Sequence, residues 1–269
     1  MGSALAWHDG RFRAGPAAAA LLGALCIQTG TNLANDLYDF RKGADTRERL
    51  GPPRVLQRGW LRPATVRRAM AGAFVLAGLA GIYLAAVAGW PVIAIGLLSI
   101  GSGILYTAGP WALAYNALGD LFVFLFFGLV AVAGTYFVQA REVTVGAVVV
   151  AIPVGALATA ILVVNNVRDL ETDRSAGKRT LAVVLGRSWT RAWYGVLLLA
   201  AYSTPVALAL TRRAAAWALL PILTAPLAAG AARAVWTRQD GPALNGALRS
   251  TARLLALFAL LFAIGLALP

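Results

Sequence analysis

Between Ala69 and Gly119 the chain runs for 51 residues without one Asp, Glu, Lys or Arg. Soluble domains carry about 25% charged residues, and so long an uncharged run has no place on their surfaces. About 20 apolar residues cross a bilayer as a helix, so this run accommodates two crossings and a tight turn. Further charge-free stretches cover 14–35, 121–140, 143–167, 192–211, 214–232 and 254–269. Across the chain 59% of residues are hydrophobic and 13% charged, with a mean hydropathy of +0.72. The pattern predicts an all-α polytopic membrane bundle, a single domain over 1–269. Eight helices are expected, at roughly 16–36, 68–88, 91–106, 116–138, 145–166, 191–211, 214–235 and 251–268.

Composition excludes several chemistries. One cysteine, Cys26, permits no intrachain disulfide, and one histidine, His8, permits no His-based metal cage or catalytic triad. Residues 1–16 contain Trp7, His8, Asp9, Arg11 and Arg13 and so lack the apolar core of a signal peptide. A net charge of +13 is read here as membrane topology and not as nucleic-acid binding, because the positions of the charges carry the information. Trp60, Trp90, Trp111, Trp189, Trp193, Trp217 and Trp236 fall near predicted helix ends, as in an interfacial aromatic belt. With eight helices, the segments 36–68, 166–191 and 233–253 share one face and hold 19 of the 24 basic residues. The positive-inside rule makes that face cytoplasmic.

Seven of the eleven acidic residues lie in two of those segments. The first cluster reads Asn32, Asn35, Asp36, Tyr38, Asp39, then Arg41, Lys42, Gly43 and Asp45. The second reads Asn165, Asn166, Arg168, Asp169, Glu171, Asp173, then Gly177, Lys178 and Arg179. Asn32, Asp36 and Asp39 share a helical face by their i, i+4, i+7 spacing, as do Asn166, Asp169 and Asp173. Carboxylates crowded on a partly apolar wall repel one another unless they share divalent cations. Hard oxygen donors suit Mg²⁺, which keeps several waters and bridges to substrate phosphates. Lys and Arg beside each cluster are superfluous for metal alone but suit a diphosphate anion. The implied ligand is a metal-chelated diphosphate at the cytoplasmic membrane surface. The competing reading of each cluster alone is a solvated loop of mixed charge.

The Asn-Asp-x-x-Asp and Asp-x-x-x-Asp patterns resemble the paired aspartate motifs of the UbiA-type intramembrane prenyltransferases. Five strings in order are similar to the 1,4-dihydroxy-2-naphthoate polyprenyltransferase branch: NLANDLYDFRKGADT (32–46), GPPRVLQRGWL (51–61), YTAGPWALAY (106–115), LGDLFVFLFFGLVAVAGTYFVQ (118–139) and NNVRDLETDRSAGKRTLAVVLG (165–186). The resemblance covers residues 15–190 by motif and the remainder by hydropathy. It implies Mg²⁺-dependent ionisation of a polyprenyl diphosphate and capture of the allylic cation by 1,4-dihydroxy-2-naphthoate. Loss of CO₂ would then give demethylmenaquinone, the menaquinone precursor. It further implies an integral protein of the bacterial cell membrane with its active site facing the cytoplasm, and a lipid-continuous groove for the prenyl tail.

Carried onto this chain, the resemblance makes Asp36, Asp39, Asp169 and Asp173 the catalytic metal carboxylates, with Asp45 a further metal contributor. Asn32, Asn35 and Asn166 would bond the metal-bound waters. Lys178 and Arg179 would meet the diphosphate, backed by Arg54 and by Arg41 or Lys42; Arg54 alternatively meets the naphthoate carboxylate. Tyr106 would face the cation with its ring, or act as an interfacial tyrosine. Asp120 stands where the family has an acidic residue, and a charge at that depth is costly and often functional. The family norm is nine helices; here Gly2–Trp7 resembles the end of a truncated first helix. Two rivals stand beside this reading. One is transfer to another aromatic acceptor, such as 4-hydroxybenzoate or homogentisate. The other is a membrane transporter, whose carboxylates would lie near the bilayer midplane.

Overall fold

The computed structural model describes residues 1–43, 51, 53–211 and 213–268. Among these the chain is helical throughout, with no β-strand. Its helices are α1 (Gly2–His8), α2 (Ala14–Arg41), α3 (Pro63–Ala88), α4 (Pro91–Leu105), α5 (Gly119–Ala140), α6 (Val145–Arg168), α7 (Leu170–Ser175), α8 (Leu181–Leu210), α9 (Ala216–Thr237) and α10 (Gly241–Ala267). Seven of them, α2, α3, α5, α6, α8, α9 and α10, are long and apolar enough to cross a membrane. The eighth expected span, 91–106, is α4, whose 15 residues reach about 22 Å at 1.5 Å per residue. That falls short of the roughly 30 Å hydrocarbon core.

Helix starts differ most from expectation where basic residues had been taken as boundaries. The third helix begins at Pro63 and carries Arg67 and Arg68 in its first turns. The last begins at Gly241, capped by Asp240, whose carboxylate accepts from the Ala243 N–H at 2.8 Å. The eighth begins at Leu181 and kinks at Gly186 (φ 79°, ψ 167°). Charged side chains end a membrane span but not a helix, which continues into water.

The centre of the bundle is α6. It is apolar around its whole circumference, with small residues at Gly155, Ala156, Ala158 and Ala160, and such a helix belongs inside a core. It packs against α5, α8 and α10 through Leu157, Val163, Val164, Tyr194, Leu197, Leu254 and Phe258. The backbones of α5 and α6 nearly touch: a methyl group added to Gly128 would lie 2.7 Å from the Gly155 Cα. At this crossing α5 is wound as a π-helix over Phe124–Ala133, a winding that frequently marks functional sites. The peripheral helices instead expose Leu22, Leu25, Leu76, Leu79, Leu97 and Leu98, the surface a lipid-facing helix requires.

Of the tryptophans expected at the interface, Trp60, Trp90, Trp111, Trp189, Trp217 and Trp236 are exposed. Trp193 departs from them. Its indole N–H turns inward and donates to Asp120 Oδ2 at 3.1 Å, because a carboxylate buried at the start of α5 needs a donor more than the interface needs another ring.

Candidate active site

Asp36 and Asp39 sit at the C-terminus of α2 and Asp169 at that of α6, where the peptide dipoles already present negative charge. Asp36 and Asp39 occupy the last two turns of α2 and are 6% and 2% exposed. Asp169 caps the end of α6 and Asp173 lies on the short α7. Carboxylates in such a field call for cations.

The two clusters share a termination device. Gly43 (φ 68°) and Gly177 (φ 70°) each stand four residues after an aspartate, in the left-handed region that glycine adopts without strain. After α7 the Lys178 N–H bonds the Asp173 carbonyl at 2.8 Å and the Gly177 N–H bonds that of Arg174 at 3.2 Å, a Schellman pattern. The turn folds Lys178 back beside Asp173. At the end of α2 the Gly43 N–H bonds the Phe40 carbonyl at 3.1 Å, which halts the helix one turn past Asp39.

Lys178 joins the clusters. Its ammonium is 4.0 Å from Asp39 Oδ1 and 4.0 Å from Asp173 Oδ1, so the expected convergence of the two motifs occurs. Arg54 closes on the same group, its Nη2 donating to Asp39 Oδ2 at 3.0 Å. This contact sets the guanidinium beside the first acidic cluster. Arg179 is exposed and contributes its backbone N–H, which donates to the Tyr115 carbonyl at 3.2 Å. Asp45 lies outside the described residues.

Tyr115 is the organising residue that the sequence reading passed over. Its hydroxyl donates to Asp39 Oδ1 at 3.2 Å. The ammonium groups of Lys42 and Lys178 lie 4.4 Å and 5.0 Å from its ring centroid, within cation–π range. The segment that carries it, between α4 and α5, is pinned by two further hydrogen bonds and holds one strained residue. Thr107 donates to Asn35 Oδ1 at 3.1 Å, Lys42 donates to the Gly109 carbonyl at 3.0 Å, and Ala117 adopts a left-handed φ of 57°. A strained non-glycine residue persists only where its surroundings hold it. No periodicity marks Tyr115; its string was visible, its role was not.

Asp169 is held differently. Arg168 donates to Asp169 Oδ1 from Nε at 2.7 Å and to Oδ2 from Nη2 at 2.6 Å. The Arg168 side chain is fully buried, while Asp169 keeps 17% of its side chain exposed. Asp173 loses hydration on burial and faces Asp169 and Asp39, and its pKa rises to about 6 although Lys178 opposes the shift. Asn166 is buried at the end of α6.

Alongside the charged cluster opens a cavity of about 300 Å³ between α2, α4 and α5. Asn32, Asn35 and Tyr106 form part of its polar lining; Phe122, Phe126 and Phe127 of α5 line its apolar wall. Phe122 and Phe126 stack with centroids 6.0 Å apart. A charged leaving group at one end and an apolar tail at the other would find matching surroundings.

Among the described residues no three His, Cys, Asp or Glu side chains enclose an ion by themselves. Mg²⁺ needs no such cage: one or two carboxylates, waters and substrate phosphates complete its shell. The buried carboxylates of Asp36 and Asp39, with Asp173 across Lys178 from Asp39, are hard oxygen donors of the right kind. The residues fit the metal.

Comparison with known proteins identifies the family. The model of the UbiA prenyltransferase family matches residues 1–258. The chain is 36% identical to the 1,4-dihydroxy-2-naphthoate octaprenyltransferase of Escherichia coli, over 99% of this chain and 88% of the relative. It is 38% identical to the enzyme of that name from Mycobacterium tuberculosis (92% and 84%) and 32% to that of Bacillus subtilis (92% and 80%). A solved structure of digeranylgeranylglyceryl phosphate synthase superposes with a TM-score of 0.65, covering 99% of this chain and 92% of its own, at 14% identity, and so shares the fold. With the family model matched over most of its length and relatives above 30% identity across both chains, the chain is a member of the UbiA prenyltransferase family.

Proposed function

We propose that this membrane enzyme transfers a polyprenyl group from its diphosphate to 1,4-dihydroxy-2-naphthoate, with loss of CO₂ and diphosphate. The product is the prenylated naphthoquinol, the reduced form of demethylmenaquinone. The observation that carries the reading is Lys178, poised between a carboxylate of each motif beside a cavity walled by phenylalanines. The names of the bacterial relatives support the acceptor.

Asp36, Asp39, Asp169 and Asp173 would hold Mg²⁺, and Asp45 belongs to the same proposed set. The metal supplies neutralisation of the diphosphate charge, so that the anion departs. Lys178, Lys42 and Arg54 then meet phosphate oxygens, and Arg179 lies at the exposed rim. Asn32, Asn35 and Asn166 bond waters around the ion. As the C1–O bond of the donor breaks, its electron pair leaves with diphosphate. Tyr106, Phe122 and Phe126 exclude water and face the allylic cation with their ring electrons. The ring carbon bearing the carboxylate attacks C1. The bond to that carboxylate then breaks, CO₂ leaves, and its electrons restore the aromatic ring. No proton needs to be supplied.

In this reading α4 is an eighth, short span, and the basic face carrying the site is cytoplasmic in a bacterial cell membrane. The whole chain acts as one domain.

The test is turnover of labelled polyprenyl diphosphate by the detergent-purified protein with 1,4-dihydroxy-2-naphthoate, 4-hydroxybenzoate or homogentisate. Product with the naphthoate alone, CO₂ release, and abolition by EDTA are expected. Turnover with another acceptor in preference, or in excess EDTA, would overturn the assignment.

A further inference from the structure

The buried guanidinium of Arg168 has a third partner that neither motif contains. Its Nη2 donates to Asn165 Oδ1 at 2.6 Å, within the same helix turn. Its Nη1 donates to Asn245 Oδ1 at 2.7 Å, 77 residues away on α10. Arg168 thus spends Nε and Nη2 on Asp169 and Asn165, and Nη1 on the last helix of the bundle. A guanidinium is planar, so bonds on both of its edges define how the whole plane lies. Two partners on the Nε–Nη2 edge are local to the α6 terminus and would move with it. Asn245 is anchored elsewhere, on a helix whose Leu244 and Ala247 are buried in the main core.

We propose that Asn245 is a positioning residue for the metal carboxylate Asp169, acting through Arg168, an inference that rests on the prenyl-transfer reading above. Its amide oxygen locks the guanidinium plane against α10, and the side-on pair with Arg168 passes that orientation to the Asp169 carboxylate. The C-terminal helix, which carries no aspartate of either motif, thereby sets the geometry of the second one. Groups behind a metal ligand typically govern affinity or activity by about 10- to 100-fold.

The decisive variants are Asn245→Leu, similar in size but without an acceptor, and Asn245→Asp, which restores one. Two readouts are needed: the Mg²⁺ concentration giving half-maximal turnover, and the thermal stabilisation that Mg²⁺ with inorganic diphosphate confers on the detergent-solubilised protein. Asn245→Leu is expected to raise the Mg²⁺ requirement about 10-fold and to lose most of the stabilisation. The KM for the naphthoate should change little, any drop in melting temperature in EDTA from the unpaired Arg168 Nη1 should be smaller than the lost stabilisation, and Asn245→Asp should recover both readouts. Should Asn245→Leu not melt cooperatively, Asn245→Ala makes the same comparison without the bulk. Mg²⁺ responses like those of the unaltered protein would overturn the positioning role, as would a general loss of stability that Asp does not rescue. An unaltered protein that itself shows neither Mg²⁺-dependent turnover nor stabilisation would overturn the prenyl-transfer reading and this inference together.

Discussion

The two aspartate motifs are alike in sequence and unlike in support. In the second, Asp169 is gripped by the adjacent Arg168, and Asp173 by a lysine that its own helix-ending turn folds back. In the first, Asp39 is held by Arg54, Tyr115 and Lys178, from three other segments of the chain. The first pair is also the more deeply buried: Asp39 is 2% exposed, whereas the Asp169 and Asp173 side chains keep 17% and 13%. A carboxylate at a helix C-terminus needs counter-charge; one motif finds it locally and the other through the tertiary fold. Loss of Asp39 should therefore scatter the cations of both motifs, while loss of Asp169 should disturb mainly its own.

The largest expected effect tests that asymmetry. Asp39→Asn should lower turnover about 10³-fold, since metal-held charge stabilisation is worth several kcal/mol. Asp169→Asn should fall at least about 10-fold less far. Initial rates with labelled donor decide it, and equal losses would show that the motifs are energetically equivalent despite their different surroundings.

A smaller effect isolates the borrowed support. Tyr115→Phe removes the hydroxyl from Asp39 but leaves a ring for Lys42 and Lys178. One hydrogen bond to a charged group is worth about 1.5–3 kcal/mol, so a loss of roughly 10- to 100-fold in kcat/KM is expected. Tyr115→Leu, which removes the ring as well, should lose more. Identical losses in the two variants would mean that the ring contributes nothing to placing the ammonium groups.

The smallest effect concerns Asp173, whose pKa burial raises to about 6, above the ordinary carboxylate range. The folded chain therefore holds this proton more tightly than the unfolded one. Stability from this group is present below the unfolded value and declines as pH rises towards about 6. In EDTA the unfolding free energy should fall between about pH 4 and 6 by an amount on the order of 1 kcal/mol, read as a lower melting temperature. Asp173→Asn should flatten that slope, and saturating Mg²⁺ with diphosphate should reverse it by favouring the carboxylate. An unchanged slope in the variant would remove Asp173 as its source.

Much of this was legible before any coordinates. Every expected apolar segment is a helix, because hydrophobicity sustained over many residues admits no other structure in a bilayer. The helix ends were less legible: the stretch before 68 and that before 251 are helical despite their charges. That Asp39 and Asp173 meet around Lys178 was readable from two acidic clusters expected on one face and needing shared cations. Tyr115, Arg168 and Asn245 were not singled out. A lone tyrosine in a loop, an arginine in a basic segment and an asparagine on the last helix have no distinguishing pattern until distant helices bring their partners near.

What the sequence determined by itself is therefore the class of structure and the chemistry on offer: long uncharged runs force membrane helices, and two acidic helix ends require cations. What the tertiary structure decided is which cation serves which carboxylate, and which aromatic ring stands between them. The contacts on Asp39 join residues from about 15 to about 140 positions apart, and a hydrogen bond or ion pair acts only over a few ångströms. Spacing along a chain can place two groups on one helix face, but only packing can bring a lysine after α7 onto an aspartate of α2.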